Sequence, residues 1–201
     1  MHLCGEAVEP LARHRVSATG ALTSSDCYQV QFSYHYMIWR YLGVGGSVGN
    51  WQNYFQNGHA HGAGWYVDDD DNKPWNLYLR PSVVLKSPAL RIKGVDLSLY
   101  AEPGVMLNIP YRRVCIESTH NSMVVDYDYI STTGGQWLAF DIHLGVSVDI
   151  EPLGISLGYL MSNLDVYSQQ RHLSYNGVSF RNFYPKKRFM QGAYLTLSYS
   201  F

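Results

Sequence analysis

Two pairs of ionisable side chains fall where a strand reading of the chain puts them within reach of each other. Arg80 and Glu102 lie on the inward faces of adjacent predicted strands, where a guanidinium and a carboxylate form strong, charge-assisted hydrogen bonds. Such a pair works either as a gate or proton path, or as an interior salt bridge that locks neighbouring strands. The salt bridge is the simpler reading. Asp141 and His143 are two residues apart and share a strand face. With a nucleophile beside them they would make hydrolytic machinery, but no serine stands in a G-x-S-x-G context. Catalytic residues are therefore not expected, and the four side chains are read as one structural network.

Two further clusters invite a metal or an anion. His59 and His61 precede the acidic run Asp68–Asp71. Their spacing matches no established zinc or calcium pattern, so a solvated acidic loop is expected and no cofactor or metal is assigned. Lys186-Lys187-Arg188, near Arg181, forms a basic cluster that reads equally as a solvated loop end or as a contact for phosphates.

The elements that must position these groups are strands. Apolar and polar residues alternate over about Arg13–Leu22, Cys27–Met37, Trp39–Trp51, Pro74–Lys86, Gly94–Ile109, Gln136–Ile150, Ile155–Tyr167 and Lys187–Phe201. Gln136–Ile150 is the clearest: Leu138, Phe140, Ile142, Leu144, Val146, Val148 and Ile150 form one row, and Asp141, His143, Ser147 and Asp149 the other. The predicted inward set also holds Arg15, His35, Tyr78, Arg80, Asp96, Tyr100 and Glu102. Long polar connections are expected at Gln52–Lys73, Pro110–Gly135 and Ser168–Lys186, with short links elsewhere. Aromatics in and beside these connections, among them Trp65, Phe180 and Tyr184, suit recognition of a partner or glycan, or an interfacial girdle. The girdle is preferred for Trp51, Trp75 and Trp137.

Composition points the same way. Charged residues make up 15% of the 201, against about 25% in ordinary soluble domains. Seventeen Tyr and five Trp suit a membrane–water boundary. No run of about 18 apolar residues is present, which leaves strands to do any crossing. A net charge of −1 argues against nucleic acid as a partner. The three cysteines, Cys4, Cys27 and Cys115, cannot all pair within one chain, and free thiols are expected. Met1–Pro10 lacks the apolar core of an export signal, which a mature form or a mis-assigned start would explain.

In the last strand Leu195, Leu197, Tyr199 and Phe201 point one way and Thr196, Ser198 and Ser200 the other. Such a row is hazardous on an open edge in water but suits the lipid-facing stave of a closed barrel. The alternative is the closing strand of a soluble sandwich or lipocalin-like barrel. The alternating strands, the Glu102-Pro103-Gly104 step and the terminal Tyr199-Ser200-Phe201 resemble the small outer-membrane β-barrel proteins common in the Bacteroidetes, similar in architecture to OmpA and OmpX barrels. The resemblance covers Arg13 to Phe201.

The expected fold is thus all-β: a transmembrane antiparallel up-and-down barrel of about eight strands over residues 13–201, behind an unstructured segment 1–12. The resemblance implies the bacterial outer membrane as location. It implies outer-membrane lipid and lipopolysaccharide as surroundings, and the barrel-assembly machinery as a partner that reads Leu195, Leu197, Tyr199 and Phe201. Other outer-membrane proteins are also candidate partners. The expected function is non-enzymatic: a plugged barrel with long extracellular loops, acting as a structural, adhesive or accessory subunit. The alternatives are an outer-leaflet lipid-modifying enzyme similar to lipid A deacylases, or a narrow channel.

Overall fold

A strand with one apolar and one polar face needs hydrogen-bonding neighbours on both edges, and here the chain supplies them all. A computed structural model describes residues 12–23, 27–53, 59–92, 94–121, 123–150, 152–186 and 189–201, with the backbone alone at 69–75. The wall consists of β1 (His14–Thr23), β2 (Cys27–Trp39), β3 (Leu42–Asn53), β4 (Trp65–Lys86), β5 (Val95–His120), β6 (Leu138–Ile150), β7 (Leu153–Asp165) and β8 (Phe189–Ser200). Each strand pairs antiparallel with its sequence neighbours, and β1 pairs with β8 from Arg15↔Ser200 to Thr23↔Gly192. The result is a closed, eight-stranded antiparallel barrel.

The register sends the predicted rows to the predicted sides. Phe32, Val48, Leu79, Leu99, Phe140, Leu157 and Leu197 are exposed on the outer wall. Arg15, His35, Arg80, Glu102, Asp141 and His143 are buried inside it. This inverts the arrangement of a soluble barrel, whose interior is apolar. Both ends of the barrel sequence, the Arg40–Tyr41 turn and the link from β4 to β5 lie at one end, and the longer connections lie at the other.

Two of the expected long loops are largely strand. β4 begins at Trp65 rather than near Pro74, and β5 continues past Ile109 to His120. The two keep pairing beyond the apolar belt, from Trp75↔Tyr111 to Trp65↔Ser118, across a register shift between Asp68 and Lys73. Met123–Thr132 folds back along β5 as a third strand of this extension. The extension buries the apolar residues Val67, Val114 and Ile116 on its inward face, with Arg112 buried at its base. Asp68 accordingly sits half-buried on a strand and not in a solvated loop.

The interior changes character towards this end. Trp51, Trp65, Leu164, Tyr167, Phe180 and Tyr184 belong to one buried apolar cluster. Trp65 stacks on Phe180 with ring centroids 5.9 Å apart and meets Tyr175 edge-on at 5.1 Å. The segment Ser168–Lys186 builds its part of the cluster from two short 3-10 turns, Gln170–His172 and Phe180–Asn182, and a two-residue hairpin between them. The expected exposure of Trp65, Phe180 and Tyr184 is therefore corrected, as is the girdle position of Trp51, which is only 2% exposed. Aromatic rings gain more by packing against one another under the mouth than by facing water. Trp137 is 57% exposed, as a girdle position requires. The side chain of Trp75, together with Met1–Leu11, the side chains of Asp69–Asp71, Lys187 and Arg188, lies outside the described residues.

Candidate functional site in the barrel interior

Inward positions recur every second residue, so each strand contributes one side chain to each level of the interior. At the middle level β4 supplies Arg80 and Ser82, β5 supplies Tyr100 and Glu102, β6 supplies Asp141 and His143, β2 supplies His35 and β8 supplies Tyr194. Arg80, fully buried, is the hub. Its Nε donates to Asp141 Oδ2 at 2.7 Å, its Nη2 to the Glu102 backbone carbonyl at 2.8 Å, and its Nη1 to the Glu102 carboxylate. Tyr100 Oη donates to the same carboxylate. His35 Nε2 lies 2.8 Å from Ser82 Oγ and 3.7 Å from Glu102 Oε1.

Arg80, Glu102 and Asp141 are thus brought together as one three-strand ion cluster. His143 stands beside it without joining by hydrogen bond: its Nε2 is 3.5 Å from Asp141 Oδ2, neither ring nitrogen has a hydrogen-bond partner, and its ring lies 4.9 Å from that of Tyr194. Asp141 spends its oriented contact on the guanidinium. A base positioned by a carboxylate, as acyl-transfer chemistry needs, is not formed by this pair.

Three participants are not evident from charge spacing. Ser82 and Tyr194 complete the surroundings of the histidines. Gly104 makes room for the hub: a Cβ there would sit 2.6 Å from Arg80 Nε. The available signal was a glycine at an inward position, paired with Ser82 across from the arginine. Gly49 does the same for Tyr78, whose hydroxyl would lie 2.3 Å from an added Cβ.

Polar layers continue on both sides of the hub. Above it, Gln29 donates to Tyr78 Oη, which donates to Gln31 Oε1 at 3.0 Å. Below it, Lys86 Nζ bonds Asp149 Oδ2 at 2.7 Å, and Arg15 Nη2 donates to Ser198 Oγ at 2.9 Å. Among the described residues no group of His, Cys, Asp or Glu is arranged to hold a metal. Outside the belt, on the β4–β5 extension, Tyr66 donates its hydroxyl to Glu117, and that hydrogen bond pushes the phenol up to about 12.

The terminal row faces away from all of this. Leu195, Leu197, Tyr199 and Phe201 are exposed on the outer wall. His14 and Phe201 exchange backbone hydrogen bonds at 2.8 Å in both directions, and their rings stack at 5.3 Å.

No protein-family model and no curated protein matches the chain. Among solved structures it is similar to a major outer membrane protein from Thermus thermophilus, at 13% identity and a TM-score of 0.49 over 94% of this chain and 98% of that one. It is also similar to the N-terminal β-barrel domain of Pseudomonas aeruginosa OprF, at 10% identity and a TM-score of 0.46 over 94% and 96%. A third likeness is to Ail, the attachment invasion locus protein of Yersinia pestis, at 14% identity and a TM-score of 0.42 over 94% and 99%. The barrel assignment itself rests on the strand pairings above.

Proposed function

We propose that this chain is a non-enzymatic integral protein of the bacterial outer membrane, with a closed interior, that serves a structural, adhesive or accessory role. The observation that carries the reading is the inverted barrel. Its outer wall is apolar, with Phe32 63% and Leu99 67% exposed, while Arg80 is fully buried in its interior. In water that wall would aggregate; in a bilayer it faces hydrocarbon, and the closed ladder leaves no open sheet edge. The absence of an oriented nucleophile–base pair among the described interior residues supports a non-enzymatic role. Cell fractionation combined with heat-modifiable gel mobility tests the location. A chain that stays soluble and monomeric without detergent overturns it.

The closed interior is part of the same proposal. Eight strands leave an interior that side chains can fill. The ion cluster at mid-height and the aromatic cluster under the mouth are what fill it here. Planar-bilayer recordings should give no stable open state, and a steady ohmic conductance from the purified protein overturns the closed reading. The outward row ending in Phe201 supports a role as the segment read during insertion. The likeness to the small Bacteroidetes barrels is kept on that row and on the Glu102-Pro103-Gly104 step.

A further inference from the structure

The turn end of the barrel opens into a cavity of about 160 Å³. Four cations line it: Arg15 from β1, Arg40 from the β2–β3 turn, Lys86 from the end of β4, and Arg91 from the short strand Leu90–Ile92. Among the described residues that line it, Asp96 and Asp149 are the carboxylates. Both carboxylates are already engaged, Asp149 with Lys86 at 2.7 Å and Asp96 with Arg91 at 3.4 Å.

Arg15 has a different environment. It is 3% exposed, bonds the Ser198 hydroxyl at 2.9 Å, and has its guanidinium carbon 5.7 Å from the Tyr100 ring centre. A hydroxyl and a ring face orient a guanidinium but do not neutralise it. A charge held this deep in a low-dielectric wall attracts a counter-ion far more strongly than one at the surface.

We propose that this cavity is a binding site for a phosphate-bearing anion. The cations line the cavity from four separate segments, which suits a tetrahedral group with several acceptor oxygens better than a planar carboxylate with two. Arginine forks match phosphate oxygens two at a time. A soluble phosphate ester and the headgroup of a phospholipid in the adjoining leaflet share this chemistry. Only the lipid source rests on the proposed membrane setting.

The test uses the full chain refolded in a zwitterionic detergent without a phosphate group, with heat-modifiable mobility establishing the folded barrel first. Inorganic phosphate and glycerol phosphate are titrated by calorimetry at constant ionic strength, with chloride as the reference. The expected result is saturable binding by the phosphates alone. Arg15→Gln should weaken it about tenfold or more, the equivalent of one charge-assisted hydrogen bond. Arg91 is exposed, so Arg91→Gln keeps the fold and should weaken binding by a smaller factor. In nanodiscs of phosphatidylglycerol, native mass spectrometry reads lipid retained on the wild type and its displacement by phosphate. Retention lost in Arg15→Gln assigns the lipid source. Phosphate binding without lipid retention assigns the soluble one. A folded barrel that binds neither, or binds chloride equally, overturns the site and leaves the membrane reading standing. A chain that folds without detergent overturns the membrane reading, and the phosphate titration in buffer still decides the site.

Discussion

Arg80 shows what one inward arginine demands. Taking a guanidinium and two carboxylates out of water is costly, and the attraction among them offsets this only with well-formed hydrogen bonds. Here three strands supply those bonds and Gly104 supplies the space. Removing Arg80 strands Glu102 and Asp141, so Arg80→Met should lower stability by about 3–5 kcal/mol, read as the urea midpoint of the barrel in detergent. The triple variant Arg80→Met, Glu102→Gln, Asp141→Asn should recover part of that loss. A single variant within ~0.5 kcal/mol of wild type would remove the cluster from any account of stability. Period-two alternation was enough to place Arg80, Glu102, Asp141 and His143 on the inner face. It could not tell which side chains meet there. That His143 stands 3.5 Å from Asp141 without a hydrogen bond follows from Arg80 claiming the carboxylate from the far side of β5, a contact 61 residues away in sequence.

At the level of elements, the eight strands were legible wherever one face was apolar and the other polar, as in Leu138–Ile150. Their upper ends were not. In β4 and β5 the extension alternates apolar residues on the inward face with Tyr66, Asp68 and Arg113 among its outward or half-buried positions, and polarity read along the chain looks like loop. The segment Ser168–Lys186 is not legible as a cap, because its buried residues answer to packing in three dimensions and carry no period. Two measurements separate belt from extension. Leu157→Arg, on the outer wall of β7, should cost about 2–4 kcal/mol in lipid, whereas Val125→Arg, on the strand that folds back along β5, should fall within about 0.5. Equal costs would remove the distinction between lipid-facing wall and aqueous arm. Trp65→Ala should cost about 3–5 kcal/mol and reduce the tryptophan fluorescence of the cap, since it leaves a void against Phe180 and Tyr175. Little change would mean that the cap does not contribute to holding the mouth together.

For the whole molecule, the terminal row is the place to test assembly. Phe201→Asp should reduce outer-membrane abundance and folded, heat-modifiable protein more than Ala63→Asp, an exposed position in the connection before β4. Normal abundance of the Phe201→Asp protein would count against both the insertion row and the membrane assignment. The seam between β1 and β8 has a consequence for time as well as for shape. The hydrogen bond from Arg15 to Ser198 joins residues 183 apart, and the remaining seam pairs, such as Ala18↔Leu197, are nearly as distant. Such contacts form slowly, because chain entropy must be lost before they give anything back. Until β8 arrives, β1 and β7 each present a bare row of amides and carbonyls. The barrel should therefore mature in a single late, cooperative step governed by its last twelve-residue strand.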